Sequence, residues 1–273
     1  MPIVLGSTSD RFKVLHEDED LPEELSAFDL DFFEEIEDLI ILFKKALFPG
    51  VFHVIENKDI QPFLESILYQ LKFKLNHCIN SYNHSISKSE TITITILEQL
   101  PKLKRTLSSD IQAIFDGDPA ARGQEEVIIA YPSFEAIMVY RIAHELGLNK
   151  CQLLARTCSG IAHRNTGIDI HPSAQIGNNF CIDHGTGIVI GETSIIGNHV
   201  KMYQGVTIGA LSVSKKQKDS KRHPTIEDNV TIYAGATILG GKTVIGEKSI
   251  IGGNVWLTKT VPKNSKIYNK END

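Results

Sequence analysis

The chain has 273 residues, a formal net charge of −6, a pI near 5.9 and 41% hydrophobic residues. That balance fits one large or two ordinary globular domains, excludes a disordered chain, and excludes a general nucleic-acid binder, which would carry a basic footprint. The start, MPIVLGSTSDRF, has no basic n-region and no apolar run of signal-peptide length, and the most apolar stretch, 39–43, is far too short to cross a bilayer. Cys78, Cys151, Cys158 and Cys181 show no CxxC spacing, so they read as free thiols of a reducing cytoplasm, with no metal site expected.

The first half reads as helix. Phe32, Ile36, Leu39, Phe43 and Leu47 recur at three- and four-residue steps, with Pro49-Gly50 as the stop. Phe63, Ile67, Leu71 and Leu75 repeat the pattern. The run Thr91-Ile92-Thr93-Ile94-Thr95-Ile96 alternates as a strand would, yet Ile96, Leu100, Leu103 and Leu107 continue at helical steps, which favours helix. Ser109 or Asp110 can cap a further helix carrying Ile111, Ile114 and Phe115. Another apolar helical run covers 134–146.

The second half has a different period. Ile170, Ile176 and Ile182 stand six residues apart. After a longer step come Ile190, Ile196, Met202 and Ile208, then Ile226, Ile232 and Ile238, then Ile245, Ile251 and Leu257. Glycine follows the aliphatic at Gly177, Gly191, Gly197, Gly209, Gly246 and Gly252. Four positions after the aliphatic stands a small or β-branched residue: Ala174, Thr186, Ser194, Val200, Val206, Val230, Ala236, Ser249, Val255 and Val261. A six-residue step smears an apolar position around a helix. It suits a left-handed parallel β-helix, in which each hexapeptide supplies one short strand and one corner, and stacked coils pair in parallel about 4.8 Å apart. The fold class expected is therefore α+β, with an N-terminal helical domain (1–164), a β-helix (165–262) and a short tail (263–273). From Gly209 to Pro224 the period lapses into a polar, basic segment with Lys215, Lys216, Lys218 and Lys221, read as one extruded loop. These lysines are expected to attract phosphates of an anionic co-substrate.

Hexapeptide prisms serve acyltransferases, carbonic anhydrases and structural appendages, so histidines must discriminate. His171, His184 and His223 stand where a smooth prism requires none. A neutral histidine with a carboxylate behind it can take a hydroxyl proton near pH 7. Asp169 and His184 are fifteen residues apart, a little short of one coil, so they lie on neighbouring coils where their side chains can meet. For His184, beside Asp183 and flanked by glycine, the catalytic reading is preferred to that of a satisfied structural histidine.

From Asp118 to Pro262 the chain resembles the serine acetyltransferases. The matching motifs are Asp118-Pro119-Ala120, Tyr140-Arg141-Ile142-x-His144, Asp169-Ile170-His171-Pro172, Asp183-His184-x-Thr186-Gly187, Gly191-Glu192-Thr193, Val206-Thr207-Ile208-Gly209 and Arg222-His223-Pro224. They cover about half the chain. The resemblance implies acetyl transfer from acetyl-CoA to the L-serine hydroxyl, the first step of cysteine synthesis from serine, with L-cysteine as inhibitor. It implies His184 as general base, Asp169 as its orienting carboxylate and His223 as a hydrogen-bonding group at the reacting centre. It implies Asp118 and Asp183 as ligands of the serine amino group and Arg222 as ligand of its carboxylate. It places the coenzyme near Thr207, Gly209, Ala234, Gly235 and Gly253, with Lys221 at its phosphates. Acetyl-CoA is then a co-substrate, and no tightly bound cofactor is expected. The assembly implied is a homotrimer, or a dimer of trimers, with the site between subunits, in the cytoplasm and without nucleic acid or membrane.

Two departures stand out. The tail Ile267-Tyr268-Asn269-Lys270-Glu271-Asn272-Asp273 lacks the terminal isoleucine with which such chains dock into cysteine synthase, so that complex is not expected. The first hundred residues match the family only in being helical. The alternatives are another hexapeptide acetyltransferase, taking homoserine, a sugar amine or an antibiotic, and a γ-class carbonic anhydrase drawing zinc ligands from His171, His184, His199 and His223. A non-catalytic trimeric scaffold is a third, which would leave the Asp-His motifs unexplained.

Overall fold

The computed structural model describes residues 32–52, 60–82, 88–211 and 220–269. The chain divides into two compact units, Met1–Glu35 and Ile36–Asp273, and the fold and site described here belong to the second. The loop lysines Lys215, Lys216 and Lys218 lie outside the described residues.

The helices are α1 (Phe32–Leu47), α2 (Pro49–Phe52), α3 (Ile60–Tyr82), α4 (Ser89–Glu98), α5 (Leu100–Gly117), α6 (Gln124–Ala130), α7 (Pro132–Leu148) and α8 (Gln152–Thr166). The Thr-Ile run is helical, as α4. It buries Ser89, Thr93 and Ile96, one helical face, rather than every second residue. The Thr95 hydroxyl donates to the Thr91 carbonyl one turn back, which makes β-branched threonine tolerable there. Ser109 and Asp110 start no helix, contrary to the expectation. α5 begins at Leu100 with Pro101 in its first turn, and Asp110 lies within it on the buried face with Leu103, Leu107, Ile111 and Ile114.

Strands begin at Asp169: β1 (Asp169–Ile170), β2 (Gln175–Ile176), β3 (Cys181–Asp183), β4 (Val189–Ile190), β5 (Ile195–Ile196), β6 (Lys201–Tyr203), β7 (Thr207–Gly209), β8 (Thr225–Ile226), β9 (Thr231–Ile232), β10 (Thr237–Leu239), β11 (Val244–Ile245), β12 (Ile250–Ile251), β13 (Trp256–Leu257) and β14 (Lys266–Ile267). Every pairing is parallel. The first face runs β1-β4-β7-β10-β13, the second β2-β5-β8-β11 and the third β3-β6-β9-β12-β14. This is the β-helix that the hexapeptide period predicts. Its register stacks Ile170, Ile190, Ile208, Ile238 and Leu257 on one face. On the third face Ile182, Met202, Ile232, Ile251 and Ile267 stack in the same way.

One inward position differs from expectation. Thr186 is exposed, and Ile188 fills the core instead. The step from Ile182 to Ile190 is longer than a hexapeptide, so the corner after β3 widens and its inward position moves along the chain. Gly185 makes that corner possible: its φ is +99°, and a Cβ there would stand 2.5 Å from Ile168 and 2.8 Å from Ile182.

A buried polar joint fixes the helices to the β-helix. Arg141, on α7, meets both oxygens of fully buried Asp110 at 3.1 and 3.2 Å and donates to the carbonyls of Ile176 and Gly177, each at 2.6 Å. Asp110 also accepts from the Phe180 N–H at 2.9 Å. The Tyr140 hydroxyl donates to the Ala174 carbonyl at 2.6 Å, and His144 Nδ1 lies 2.7 Å from the Pro172 carbonyl. The Tyr-Arg-x-x-His motif is therefore a structural clamp. All four cysteines are buried, and none forms a disulfide among the described residues. Among the described residues no helix is long and apolar enough to cross a membrane.

Candidate active site

Two polar clusters stand on different corners of the prism. The first lies where the third face turns into the first. β3 ends at Asp183, and His184 follows in the left-handed region at φ +59°, with its side chain 74% exposed. His184 Nε2 lies 3.8 Å from Asp183 Oδ1. The other Asp183 oxygen meets Lys201 Nζ at 2.9 Å, and that ammonium also donates to the Gly117 carbonyl at 2.6 Å. The next residue, Asp118, caps α5, so the helical half delivers a second carboxylate to the corner. Its Oδ1 accepts from the Ala120 N–H at 2.8 Å and its Oδ2 from the Tyr131 hydroxyl at 2.6 Å. These two bonds, with the charges of Lys201 and His184, hold the Asp118 carboxyl below its ordinary range. In return the Asp118 bond pushes the Tyr131 phenol up to about 12.

Above this corner glycines recur from coil to coil, with the side chains of Thr186, Gln204 and Asn254 beside them. Gly167, Gly187, Gly205 and Gly235 all have positive φ and succeed one another from coil to coil. They are linked by bonds from the Gly187 N–H to the Gly167 carbonyl, from Gly205 to Thr186 and from Gly235 to Gln204. A Cβ on Gly205 would stand 3.4 Å from the Gly235 backbone. The result is a glycine-lined corner where successive coils approach closely beside His184.

The second cluster lies where the first face turns into the second. Gly191-Glu192-Thr193 forms a cradle for Arg222-His223 (the two halves of this cradle are thirty residues apart in sequence). The Thr193 hydroxyl oxygen accepts from the backbone N–H of Arg222 at 2.9 Å and of His223 at 3.0 Å. With both lone pairs engaged, its O–H donates to His223 Nδ1 at 2.9 Å, where the Thr193 N–H also points at 3.0 Å. Nδ1 is thus an acceptor, and the ring proton sits on Nε2. Burial, then the charges of Arg222 and Lys221, lower the His223 pKa to about 4, so the ring is neutral. The ring lies flat on Gly191, where a Cβ would come within 2.1 Å of it. Arg222 pairs with Glu192. Burial works against the Glu192 anion, but the hydrogen bond and charge of Arg222 lead the interactions that outweigh it and keep the carboxyl below its usual range.

Three expectations meet a different placement. No hydrogen bond or ion pair joins Asp169 to His184 among the described residues; the carboxylate beside His184 is Asp183. Asp169 acts on His171 instead, whose pKa burial lowers first, with Arg156 adding to that and Glu192 and Asp169 opposing it. Lys221 does not present its ammonium outward to a phosphate. It donates to the carbonyls of Thr193, His223 and Pro224 at 2.7, 2.5 and 3.0 Å, which takes all three of its protons. Of the coenzyme positions, Ala234, Gly235 and Gly253 fall on the glycine-lined corner above His184, whereas Thr207 and Gly209 lie on β7 of the adjoining face. The histidines weighed as zinc ligands stand on three corners, and no group of three metal-binding side chains converges among the described residues.

Lys201, Tyr131 and Thr193 were not singled out as separate site residues from the sequence. Lysine at an outward strand position and tyrosine before a proline read as ordinary surface. A signal existed only for Thr193, inside the Gly-Glu-Thr motif.

No protein-family model matches the chain. A plasmid-encoded serine acetyltransferase of Synechococcus elongatus is 51% identical over 181 residues, which is 64% of this chain and 56% of that protein. The chain spans about half the length of the curated relatives it matches. The structure of serine acetyltransferase isoform 3 from Entamoeba histolytica, in complex with cysteine, superposes with a TM-score of 0.78 at 36% identity, covering 86% of this chain and 81% of that one. Two further serine acetyltransferase structures, one from Neisseria gonorrhoeae with serine and one with CoA, are 27% and 29% identical with TM-scores of 0.60 and 0.57. They cover 86% and 84% of this chain, and 96% and 95% of theirs.

Proposed function

The chain belongs to the serine acetyltransferase family, and from that premise we propose that it transfers the acetyl group of acetyl-CoA to the hydroxyl of L-serine. The observation that carries the reading is the corner after β3. An exposed histidine stands there beside two carboxylates from different halves of the chain, where glycines recur from coil to coil.

On this reading the chemistry runs as one displacement. The ammonium of serine lies against Asp118 and Asp183, beside which Lys201 is already seated. His184 takes the hydroxyl proton as the oxygen attacks the thioester carbonyl. The C–S bond breaks, CoA leaves as thiolate, and the imidazolium returns its proton to the sulfur. The pantetheine arm lies along the glycine corner, where the glycines carry no side chain and a chain of methylenes and amides can approach closely. Asp169, on the strand that follows the Gly167 corner, is the carboxylate we assign to orient His184.

Arg222 and His223 act from the opposite corner of the prism. Arg222 offers a planar fork for the serine carboxylate, and neutral His223 offers one N–H from Nε2. Since the two corners face apart in one chain, the site is completed between neighbouring copies, in a homotrimer or a dimer of trimers in which the helical half 1–164 carries the further contacts. L-cysteine, with a thiol in place of the hydroxyl, fits the same ligands and inhibits by occupying them. The compartment is the cytoplasm, consistent with four cysteines in no disulfide among the described residues.

Thiol release from acetyl-CoA with L-serine, L-homoserine and a sugar amine tests the reading. Serine is expected to be preferred, and His184→Ala to lose at least a hundredfold in kcat. Equal turnover by His184→Ala, or a preference for another acceptor, would sink it.

A further inference from the structure

We propose that Lys201 is a positioning residue of this site: its ammonium sets the spacing of the two amino-binding carboxylates and cancels one of their two charges. The proposal rests on the reading of Asp118 and Asp183 as ligands of the serine ammonium.

Four observations converge on it. Lys201 opens β6, one coil above Cys181 in register, and its side chain crosses to the β3 corner. There Nζ bridges Asp183 Oδ2 at 2.9 Å and the Gly117 carbonyl at 2.6 Å. Gly117 immediately precedes Asp118, so one ammonium ties the end of α5 to the end of β3. The seat is built for it: a Cβ on Gly117 would lie 3.1 Å from Cys181 Sγ and 3.4 Å from Lys201 Nζ. Below the ammonium, the Tyr203 ring adds a cation–π contact at 4.6 Å.

The charges explain why a cation is needed there. Two carboxylates facing one small site repel and tend to share a proton, which would cancel their hold on a substrate ammonium. With Lys201 between them the cluster has one net negative charge, matched by one ammonium. Lys201 itself stays protonated. Burial works against that, but the bonds to Tyr203 and Asp183, with the charge of Asp183, outweigh it. It is therefore no proton acceptor. The other titratable groups facing the cluster are Tyr131 and His184, Cys181 and Tyr203 beside the ammonium, and Glu126 through Tyr131, with buried Asp110 acting on Cys181 from α5.

The test compares the wild type with Lys201→Arg, Lys201→Met and Lys201→Gln. It measures kcat/KM for serine from about pH 4 to about pH 8 at saturating acetyl-CoA, with a melting curve at each pH. Lys201→Arg keeps the charge and is expected to keep the acid limb. Lys201→Met and Lys201→Gln are expected to move that limb up by about one pH unit, a roughly tenfold loss near its foot and little loss at the alkaline end, carried mainly by KM for serine. Lys201→Gln retains a donor for the Gly117 carbonyl and serves if Lys201→Met does not fold. Neutral variants that fold and titrate like the wild type would overturn the proposal. So would losses that only track the folded fraction equally at every pH. Wild-type enzyme with no serine-dependent thiol release would remove the parent reading and this inference with it; an active wild type with unmoved limbs removes the inference alone.

Discussion

Thr193 sets the tautomer of His223, and burial sets its charge. The threonine hydroxyl has no lone pair left after accepting two backbone N–H groups, so it donates to Nδ1 and leaves the proton on Nε2. Replacing Thr193 with Val keeps the shape and removes this bond. We expect a tenfold or greater loss of kcat/KM together with a lowered melting temperature, because the backbone N–H groups of Arg222 and His223 lose their acceptor, read from steady-state kinetics beside a melting curve. The sign of the pH dependence follows from the lowered His223 pKa. Folded His223 titrates at about 4 against 6.5 for the unfolded chain, so the unfolded state binds more protons between those values. The stabilisation is complete above about pH 6.5 and is lost as pH falls toward 4. A His223→Gln variant should therefore lose less melting temperature than the wild type across that window; parallel curves would contradict the assignment. Arg222-His223 was legible in the sequence as a motif. That Gly191 must lack a side chain to admit the ring was not, because the two residues meet only after the chain has gone once round the prism.

Elements were legible where their burial is periodic. The six-residue aliphatic ladder and the amphipathic helices repeat one physical demand many times, so single deviations do not hide them. Thr186 escaped because the corner after β3 is locally longer than the repeat, and Asp110 because a buried aspartate cannot be told from a cap without its arginine. That pair makes a sharp test of what holds the two kinds of structure together. Arg141→Met leaves the Asp110 carboxylate buried without its partner, and we expect about 3–5 kcal/mol of lost stability by urea denaturation. Lys44→Ala, which removes a partly exposed 3.3 Å pair with Glu135, should cost under about 1 kcal/mol. Equal effects would show that the joint carries no special weight. The glycine corner gives a second test at this scale. Gly205→Ala places a Cβ at φ +71° and 3.4 Å from the next coil, costing about 1–2 kcal/mol and raising KM for acetyl-CoA more than KM for serine.

At the scale of the whole molecule, the placement of the two clusters is the decisive fact. Asp118, Asp183 and His184 stand where the third face turns into the first, and Arg222 and His223 where the first turns into the second. A chain acting alone would need both corners to reach one serine, which a prism with stacked parallel faces does not allow. In the proposed ring of identical chains, each contact would set the first corner of one copy against the second corner of the next. Mixing inactive chains distinguishes the two cases. His184→Ala damages only the first corner and His223→Ala only the second. Unfolded together in equal amounts and refolded, random trimers contain one intact site in every mixed ring, so about a quarter of wild-type activity should return, although neither variant alone is active. Activity that stays at the level of the separate variants, in a mixture shown by mass to contain mixed trimers, would mean that each chain assembles its site from its own residues.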